Sequence, residues 1–101
     1  MTKQTKAKQI PVSVKKKVWD RDGGECIICH SPNADPSCHY IRRSQGGLGI
    51  EQNIVTLCQT HHRFLDSPNT PIEKSLYRRM VKDHLDRHYP DFPDEKRVYQ
   101  K

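Results

Sequence analysis

Two short pairs of metal-binding residues constrain the fold of this chain more than any other feature. Two residues separate Cys26 from Cys29, and the same spacing separates Cys58 from His61. Two such pairs are a common ligand set for tetrahedral zinc, because each pair can contact the ion from one turn. Zinc would close a loop of about thirty residues and would supply much of the folding free energy. The pattern predicts a structural zinc site, and a group of ordinary buried thiols is the alternative.

The composition explains why such a site would be needed. The chain has 101 residues, of which 33% are hydrophobic and 30% are charged, so we expect one domain with a thin core. No apolar run has the length of a membrane span, and the first residues lack the apolar stretch of a signal peptide. We therefore expect a cytoplasmic protein without a membrane partner, in which the cysteines bind metal rather than form disulfides.

Positive charge is concentrated at the N-terminus. The formal net charge is +6, and residues 1–17 contain six lysines and no acidic residue. We interpret residues 1–12 as a flexible basic arm. Lysine contacts with a polyanion release counterions, so nucleic acid is the partner that this charge favours. A solubilising tail is the alternative.

The hydrophobic periodicity predicts a mixed order of helices and strands. The expected strands are short and apolar or alternate in polarity, whereas the expected helices repeat apolar residues every three or four positions. Ser13 is the expected N-cap of the first helix. In the last helix, Ile72, Leu76, Met80 and either Val81 or His84 recur at helical spacing, so we expect them on one face. The predicted order is helix 14–21, strand 37–42, strand 53–57, helix 58–65 and helix 71–89.

Three polar residues that could carry chemistry fall on the middle elements: His39, Asn53 and His62. With the segments CIIC, CHYIRRSQGG and QNIVTLC, this order resembles the HNH endonucleases of the ββα-metal fold over about residues 13–67. The resemblance implies an α+β fold with a small zinc-stapled, treble-clef-like ββα core. Helices would flank this core on both sides, with the C-terminal helix and tail of residues 68–101 packed on it.

The resemblance also implies a role for each of the three residues. His39 looks like the general base that takes a proton from the attacking water, which suits an imidazole because it titrates near neutral pH. Asn53 looks like the residue that positions this base, and a plain turn asparagine is the alternative. His62 looks like a ligand of a catalytic divalent ion. That ion would be Mg²⁺ or Mn²⁺, with Ni²⁺ or Zn²⁺ as alternatives.

Two further candidate ligands depart from the family pattern or supplement it. Cys38 stands where the family usually carries Asp or His, and a thiolate suits zinc or nickel better than Mg²⁺. It could bind the ion, be a bystander with water in its place, or mark a weak site. Asp66 lies four residues after His62, so a helix places both on one face, although Asp66 could equally cap or solvate the helix end. His61 replaces a more usual cysteine, and Cys₃His remains an ordinary zinc set. His61 and His62 could exchange these assignments, and the two-residue spacing from Cys58 favours His61 for zinc.

The function that the resemblance implies is a metal-dependent DNA endonuclease that leaves 5′-phosphate and 3′-hydroxyl ends. Small stand-alone proteins of this type resemble phage proteins that act beside the terminase, so a phage terminase or another large DNA-processing complex in a bacterial host is the implied partner. The alternatives are a catalytically weak, zinc-stabilised DNA-binding protein and an adaptor that docks a larger partner through its C-terminal helix and tail. The expected DNA contacts are Arg42, Arg43, Lys15, Lys16 and Lys17.

Overall fold

The structure is a computed structural model that describes residues 3–66 and 71–100, with the backbone alone for residues 66 and 71–74. It is a small mixed α+β fold in which two strands are followed by a helix along the middle of the chain. Short 3₁₀ turns at Arg43–Gln45 and Asp94–Arg97 complete it. The main elements are α1 (Lys3–Lys8), α2 (Val12–Arg21), β1 (Ala34–His39), β2 (Ile54–Cys58), α3 (Gln59–Asp66) and α4 (Pro71–His88).

The two strands pair antiparallel, and β2 is buried along its whole length. The register places His39 opposite Ile54, with an irregularity between Asp35 and Cys38. Pro36 lies within this irregularity, which suits a residue that has no N–H to donate to the ladder. The first strand, β1, begins and ends three residues earlier than the predicted strand 37–42.

Helix α2 begins two residues before the predicted start. Pro11 takes the N-cap position with extended backbone angles, and its carbonyl oxygen accepts hydrogen bonds from the N–H groups of Val14 and Lys15. The fixed φ of proline is compatible with the residue that precedes a helix. The prediction that Ser13 caps this helix is wrong, because Ser13 lies inside it.

The first residues form a helix, α1, where the sequence predicted an arm without regular structure. None of its residues is buried. The carbonyl oxygens at its C-terminal end accept hydrogen bonds from Gly49 N, at 3.0 Å from Ala7 O, and from His39 Nε2, at 2.9 Å from Lys8 O. A six-residue polar helix has no apolar period to detect and is marginal by itself, so these tertiary contacts hold it.

Helix α4 buries only part of the face that the periodicity predicted. Val81 and Leu85 are fully buried, whereas Leu76 is 57% exposed and Met80 is 37% exposed. Ile72, another residue of the predicted face, lies outside the described side chains. The helix carries apolar residues on more than one face, so spacing could not decide which face meets the core. No helix in residues 3–66 or 71–100 is long and apolar enough to cross a membrane.

A buried polar network joins α2, β2 and α4. The carboxylate of Asp22 accepts hydrogen bonds from Arg21 Nε and from His84 Nε2, both at 2.7 Å, and from the Thr56 N–H at 2.9 Å. Arg21 also donates to Ile54 O at 2.7 Å. Burial by itself would raise the pKa of Asp22, but the hydrogen bonds from His84 and Arg21 outweigh it and hold the pKa well below its usual value.

The C-terminal tail closes on the connection between the strands. Val98 forms a β-bridge with Gly47, and Leu48 N donates to Arg97 O at 2.8 Å. The Arg97 side chain is almost completely buried, and its Nε donates to Gln52 O at 2.6 Å. This tail therefore covers the connection that carries the residues following His39.

Candidate metal centre and candidate active site

The first pair of predicted zinc ligands lies in a tight turn that is tied to the sheet. Cys26 N donates to Ser31 O and Ile27 N donates to Thr56 O, so the turn is fixed against β2. His30, which follows the pair, adopts a left-handed backbone conformation with φ of 64°. The second pair spans the end of β2 and the first turn of α3.

These elements bring the four predicted ligands together. One donor atom from each of Cys26, Cys29, Cys58 and His61 lies within 4.8 Å of the other three. Cys29 Sγ is 3.7 Å from Cys58 Sγ, and Cys26 Sγ is 3.7 Å from His61 Nδ1. Ligand atoms of a tetrahedral zinc site with ordinary bond lengths are about 3.5 to 3.8 Å apart. The four residues could therefore hold a metal ion, as the sequence predicted, and the donor set is consistent with structural zinc.

The surroundings favour the protonation states that bind metal. Burial would raise the pKa of the Cys26 thiol, but hydrogen bonds from the backbone of Cys29, Cys58 and Ile28 lower it below its usual value. Burial lowers the pKa of His61. A thiolate and a neutral imidazole are the ligating forms of these side chains, so the protein prepares both for a cation.

The clustering of thiols has an opposite effect at Cys29. A backbone hydrogen bond from Ser31 lowers its pKa, but burial and the neighbouring thiols of Cys58 and Cys26 outweigh this effect and raise the pKa. Several thiolates at this distance repel one another, and a divalent cation among them removes that repulsion.

A second site is a cavity of about 610 Å³ that contains two of the three predicted catalytic residues. His39, at the end of β1, and His62, on α3, both line it. No carboxylate lines the cavity among the side chains that the structure describes. The basic residues of its wall are Lys8, Lys15, Arg42 and Arg43.

The orientation of His39 is fixed by the N-terminal segment. Its Nε2 lies 2.9 Å from the carbonyl oxygen of Lys8. A carbonyl can only accept, so Nε2 carries the hydrogen, and Nδ1 is the basic nitrogen of the neutral ring.

Asn53 is fully buried and does not line the cavity. Its Oδ1 accepts from Ile41 N at 2.9 Å, and its Nδ2 donates to Ile41 O at 3.2 Å and to Leu48 O at 2.9 Å. The Asn53 side chain thereby forms hydrogen bonds with both the N–H and the carbonyl group of Ile41. These groups no longer pair with a neighbouring strand, which explains why the chain leaves the sheet after His39. Asn53 fixes the backbone that follows the candidate base.

The structure does not place Cys38 beside His62 in the wall of the cavity. Cys38 is 1% exposed and belongs to the hydrophobic core rather than to the described wall of the cavity. Successive residues of a strand point to opposite faces, so Cys38 faces the core while its neighbour His39 faces the cavity. The side chain of Asp66 lies outside the described residues.

The predicted DNA-contacting residues divide into two groups. Arg42, Arg43 and Lys15 line the cavity, and Arg42 also donates to Leu65 O at 3.2 Å. Lys16 and Lys17 are exposed on α2 and are not part of the cavity wall. Neighbouring helical residues are about 100° apart around the axis, so one helix cannot present three consecutive lysines to one cavity.

Lys8 and the residues that follow it were predicted to belong to the arm. Lys8 instead lines the cavity and contacts His39. A signal existed in the glycines of the β1–β2 connection. A Cβ at Gly47 would overlap Ile41 O, and one at Gly49 would overlap Gln9 O, so these glycines mark close approaches of backbone to backbone.

Helix α3 joins the two sites, because His61 faces the metal group and His62 lines the cavity. Comparisons with models of protein families, with curated proteins and with solved structures found no match. The assignment of a function therefore depends on the chemistry of these two sites.

Proposed function

We propose that this chain is a metal-dependent DNA endonuclease of the HNH type that hydrolyses phosphodiester bonds to 5′-phosphate and 3′-hydroxyl ends. One observation carries the proposal: His39 and His62 line the same cavity as Arg42 and Arg43. A wall with imidazoles, two guanidiniums and no described carboxylate suits a phosphate backbone, which would neutralise its charge.

In this proposal, His39, the basic residues of the cavity wall and the buried Asn53 have different tasks. Nδ1 of His39 accepts the proton of the attacking water, because its Nε2 is occupied by the bond to Lys8 O. Arg42, Arg43 and Lys15 bind phosphates beside the scissile bond and orient the backbone. Asn53 holds the backbone after His39, so that the imidazole keeps its place.

A divalent ion would be held by His62, with Asp66 and Cys38 as further candidates. When bound, such an ion stabilises the charge that develops on the phosphate and the leaving oxygen. Imidazole donors suit Zn²⁺ and Ni²⁺, whereas Mg²⁺ and Mn²⁺ prefer carboxylates, which are absent from the described wall. The burial of Cys38 in the core favours the bystander interpretation of that residue.

We assign Zn²⁺ to the Cys₃His group as a structural ion. The group offers four protein ligands, and a closed set of four is typical of structural rather than catalytic zinc. A partner such as a phage terminase, and a location in the cytoplasm of a bacterial host, belong to the proposal on the resemblance alone.

A zinc-stabilised DNA-binding protein without catalysis is the second candidate. It is favoured by the lack of a described carboxylate in the cavity and by the position of Cys38. The adaptor alternative is less favoured, because it treats the C-terminal part as separable. Val81, Leu85 and Arg97 are all buried, so deletion of residues 68–101 would remove part of the core.

Cleavage of supercoiled plasmid tests the proposal. The wild type would be compared with His39→Ala and with His88→Ala, an exposed histidine outside the cavity, in Mg²⁺, Mn²⁺, Ni²⁺, Zn²⁺ or EDTA. We expect metal-dependent nicking by the wild type and by His88→Ala, and a loss of at least about 100-fold in His39→Ala. Equal activity in His39→Ala would exclude His39 as the base. DNA binding without cleavage in any metal would favour the second candidate.

A further inference from the structure

Residues 8–10 form part of the wall of the cavity that holds His39 and His62. They begin with the last residue of α1, a helix that buries none of its residues and is too short to be stable alone. The hydrogen bonds that hold the segment in place include Gly49 N to Ala7 O, and His39 Nε2 to Lys8 O. The candidate general base itself thus makes one of the contacts that secure the segment.

The approach of the segment depends on a glycine. A Cβ at Gly49 would overlap Gln9 O, lie 2.5 Å from Gln9 C and lie 3.0 Å from Ile10 Cα. All three atoms belong to backbone, so a methyl group could be accommodated only if the segment moved away. The backbone of Gly49 needs no left-handed angle, which means that space alone excludes a side chain there.

The segment also adds charge to the cavity. Lys8 and Lys15 line it together with Arg42 and Arg43, and residues 1–17 contain no acidic side chain that could neutralise the lysines. Two of the four cations therefore come from the N-terminal part of the chain, and two come from the residues that follow β1. A chain of phosphates is the ligand that such a wall fits.

We propose that residues 8–10 are a positioning and substrate-binding element of the nuclease site. The Lys8 carbonyl oxygen sets the orientation of the His39 ring, and the Lys8 ammonium group binds a backbone phosphate of the nucleic acid beside the scissile one. This inference rests on the proposed nuclease function. It assigns the N-terminal residues to the active site rather than to a tail.

Two lysine variants distinguish the role of the Lys8 charge from the role of the Lys8 carbonyl group. Lys8→Ala removes the ammonium group but keeps the carbonyl, whereas Lys6→Ala removes the same charge from the same helix outside the cavity wall. For Lys8→Ala we expect a KM about 3- to 10-fold higher, a nearly unchanged kcat, and a DNA-binding salt dependence reduced by about one unit of slope. Lys6→Ala should leave KM and kcat within about twofold of the wild type.

Two other variants remove the contact with His39. Gly49→Ala displaces the segment, and deletion of residues 2–10 removes it. We expect kcat to fall about 10- to 100-fold in both, because a misplaced base loses near-attack geometry. Imidazole NMR resonances of the zinc-loaded protein without other metal give an independent readout. His39 should show a slowly exchanging Nε2 proton in the wild type and in Lys8→Ala, but not in Gly49→Ala or the deletion.

The zinc content and the thermal unfolding of each variant would show that it is folded. Wild-type kcat in the deletion variant, or an unchanged His39 resonance in Gly49→Ala, would overturn this inference and leave the nuclease proposal intact. Equal KM for Lys8→Ala and Lys6→Ala would overturn the phosphate contact alone. If the wild type cleaved DNA in no metal, the proposed function would be wrong and the positioning role would fail with it, whereas the His39 resonance would still decide whether the contact to Lys8 exists.

Discussion

The Cys₃His group and the basic cavity each include one residue of α3, and they differ in how the chain assembles them. The metal group consists of two local turns, each with its two ligands three positions apart, and these turns are tied together by the sheet. The cavity is assembled from four separate parts of the chain, including α1, the end of β1 and α3. Local spacing thus identifies the candidate metal ligands, and the sheet brings their two turns together, whereas the composition of the open site depends on long-range packing throughout.

This difference predicts that the two sites respond unequally to mutation. Loss of a ligand in the metal group should affect stability first, because several charged or buried donors lose the ion that pairs them. Loss of a side chain from the cavity should affect binding or rate with little change in stability, since those side chains are partly exposed.

The largest effect is expected from removal of the metal ligand Cys58. Cys58→Ala should abolish stoichiometric zinc binding and cooperative folding, because apparent binding free energies for structural zinc reach about 10 kcal/mol and more. Cys38→Ala is the matched control. It removes a buried thiol outside the ligand group, so it should keep the zinc and cost about 1 kcal/mol. Zinc content and thermal unfolding by circular dichroism would measure both, and equal losses would mean that Cys38 is also a ligand.

The next largest effect concerns the buried polar network that joins α2, β2 and α4. Asp22→Asn leaves Arg21 with a buried and uncompensated charge, and it should lower the free energy of unfolding by about 3 kcal/mol or more. Asp86→Asn breaks the exposed pair with Lys82 and should cost no more than about 0.5 kcal/mol. Urea unfolding at neutral pH distinguishes the two variants, and similar costs would contradict a structural role of the network.

The same carboxylate predicts a pH dependence. The pKa of Asp22 is lower in the folded than in the unfolded chain, so the unfolded state binds more protons in acid and stability falls as the pH decreases. The stabilisation by Arg21 and His84 should be fully present above about pH 4 and be lost as the pH falls through the folded pKa. Asp22→Asn should flatten this part of the profile, and an unchanged profile would refute the assignment.

A smaller effect on stability is expected at Asn53, which connects the cavity to the core. Asn53→Ala removes three hydrogen bonds to backbone groups of Ile41 and Leu48 and should cost about 2 to 3 kcal/mol. It should also lower kcat, because the backbone after His39 loses its anchor. Asn33→Ala, at an exposed asparagine, is the control. A variant with wild-type kcat despite lower stability would show that Asn53 is structural only.

The smallest effect on stability is expected from the lysines of α2. Lys15→Ala removes a residue of the cavity wall and should weaken DNA binding about 3- to 10-fold, whereas Lys17→Ala removes an equal charge outside it and should change binding less than about twofold. Neither should change the unfolding temperature appreciably. Fluorescence anisotropy with a short duplex at two salt concentrations measures the difference, and equal losses would mean that the whole of α2 contacts DNA.

Most of the element order could be predicted from the sequence, because it depends on local patterns. The predicted helices lie within two residues of α2, α3 and α4, and the predicted second strand lies one residue from β2. The first strand ends earlier than predicted because the side chain of Asn53, which is distant in sequence, forms hydrogen bonds with the backbone N–H and carbonyl groups of Ile41. Helix α1 was missed because its stability comes from contacts with Gly49 and His39 rather than from its own residues.

The sequence by itself determined the metal group. Its ligand types and their spacing within single turns leave few other geometries, so Cys26, Cys29, Cys58 and His61 could be identified before the fold was known. Only the tertiary structure decided which face of α4 meets the core and which N-terminal residue meets His39. The physical reason is that both contacts depend on how whole elements are placed relative to one another. A given sequence pattern is compatible with several such placements of similar free energy.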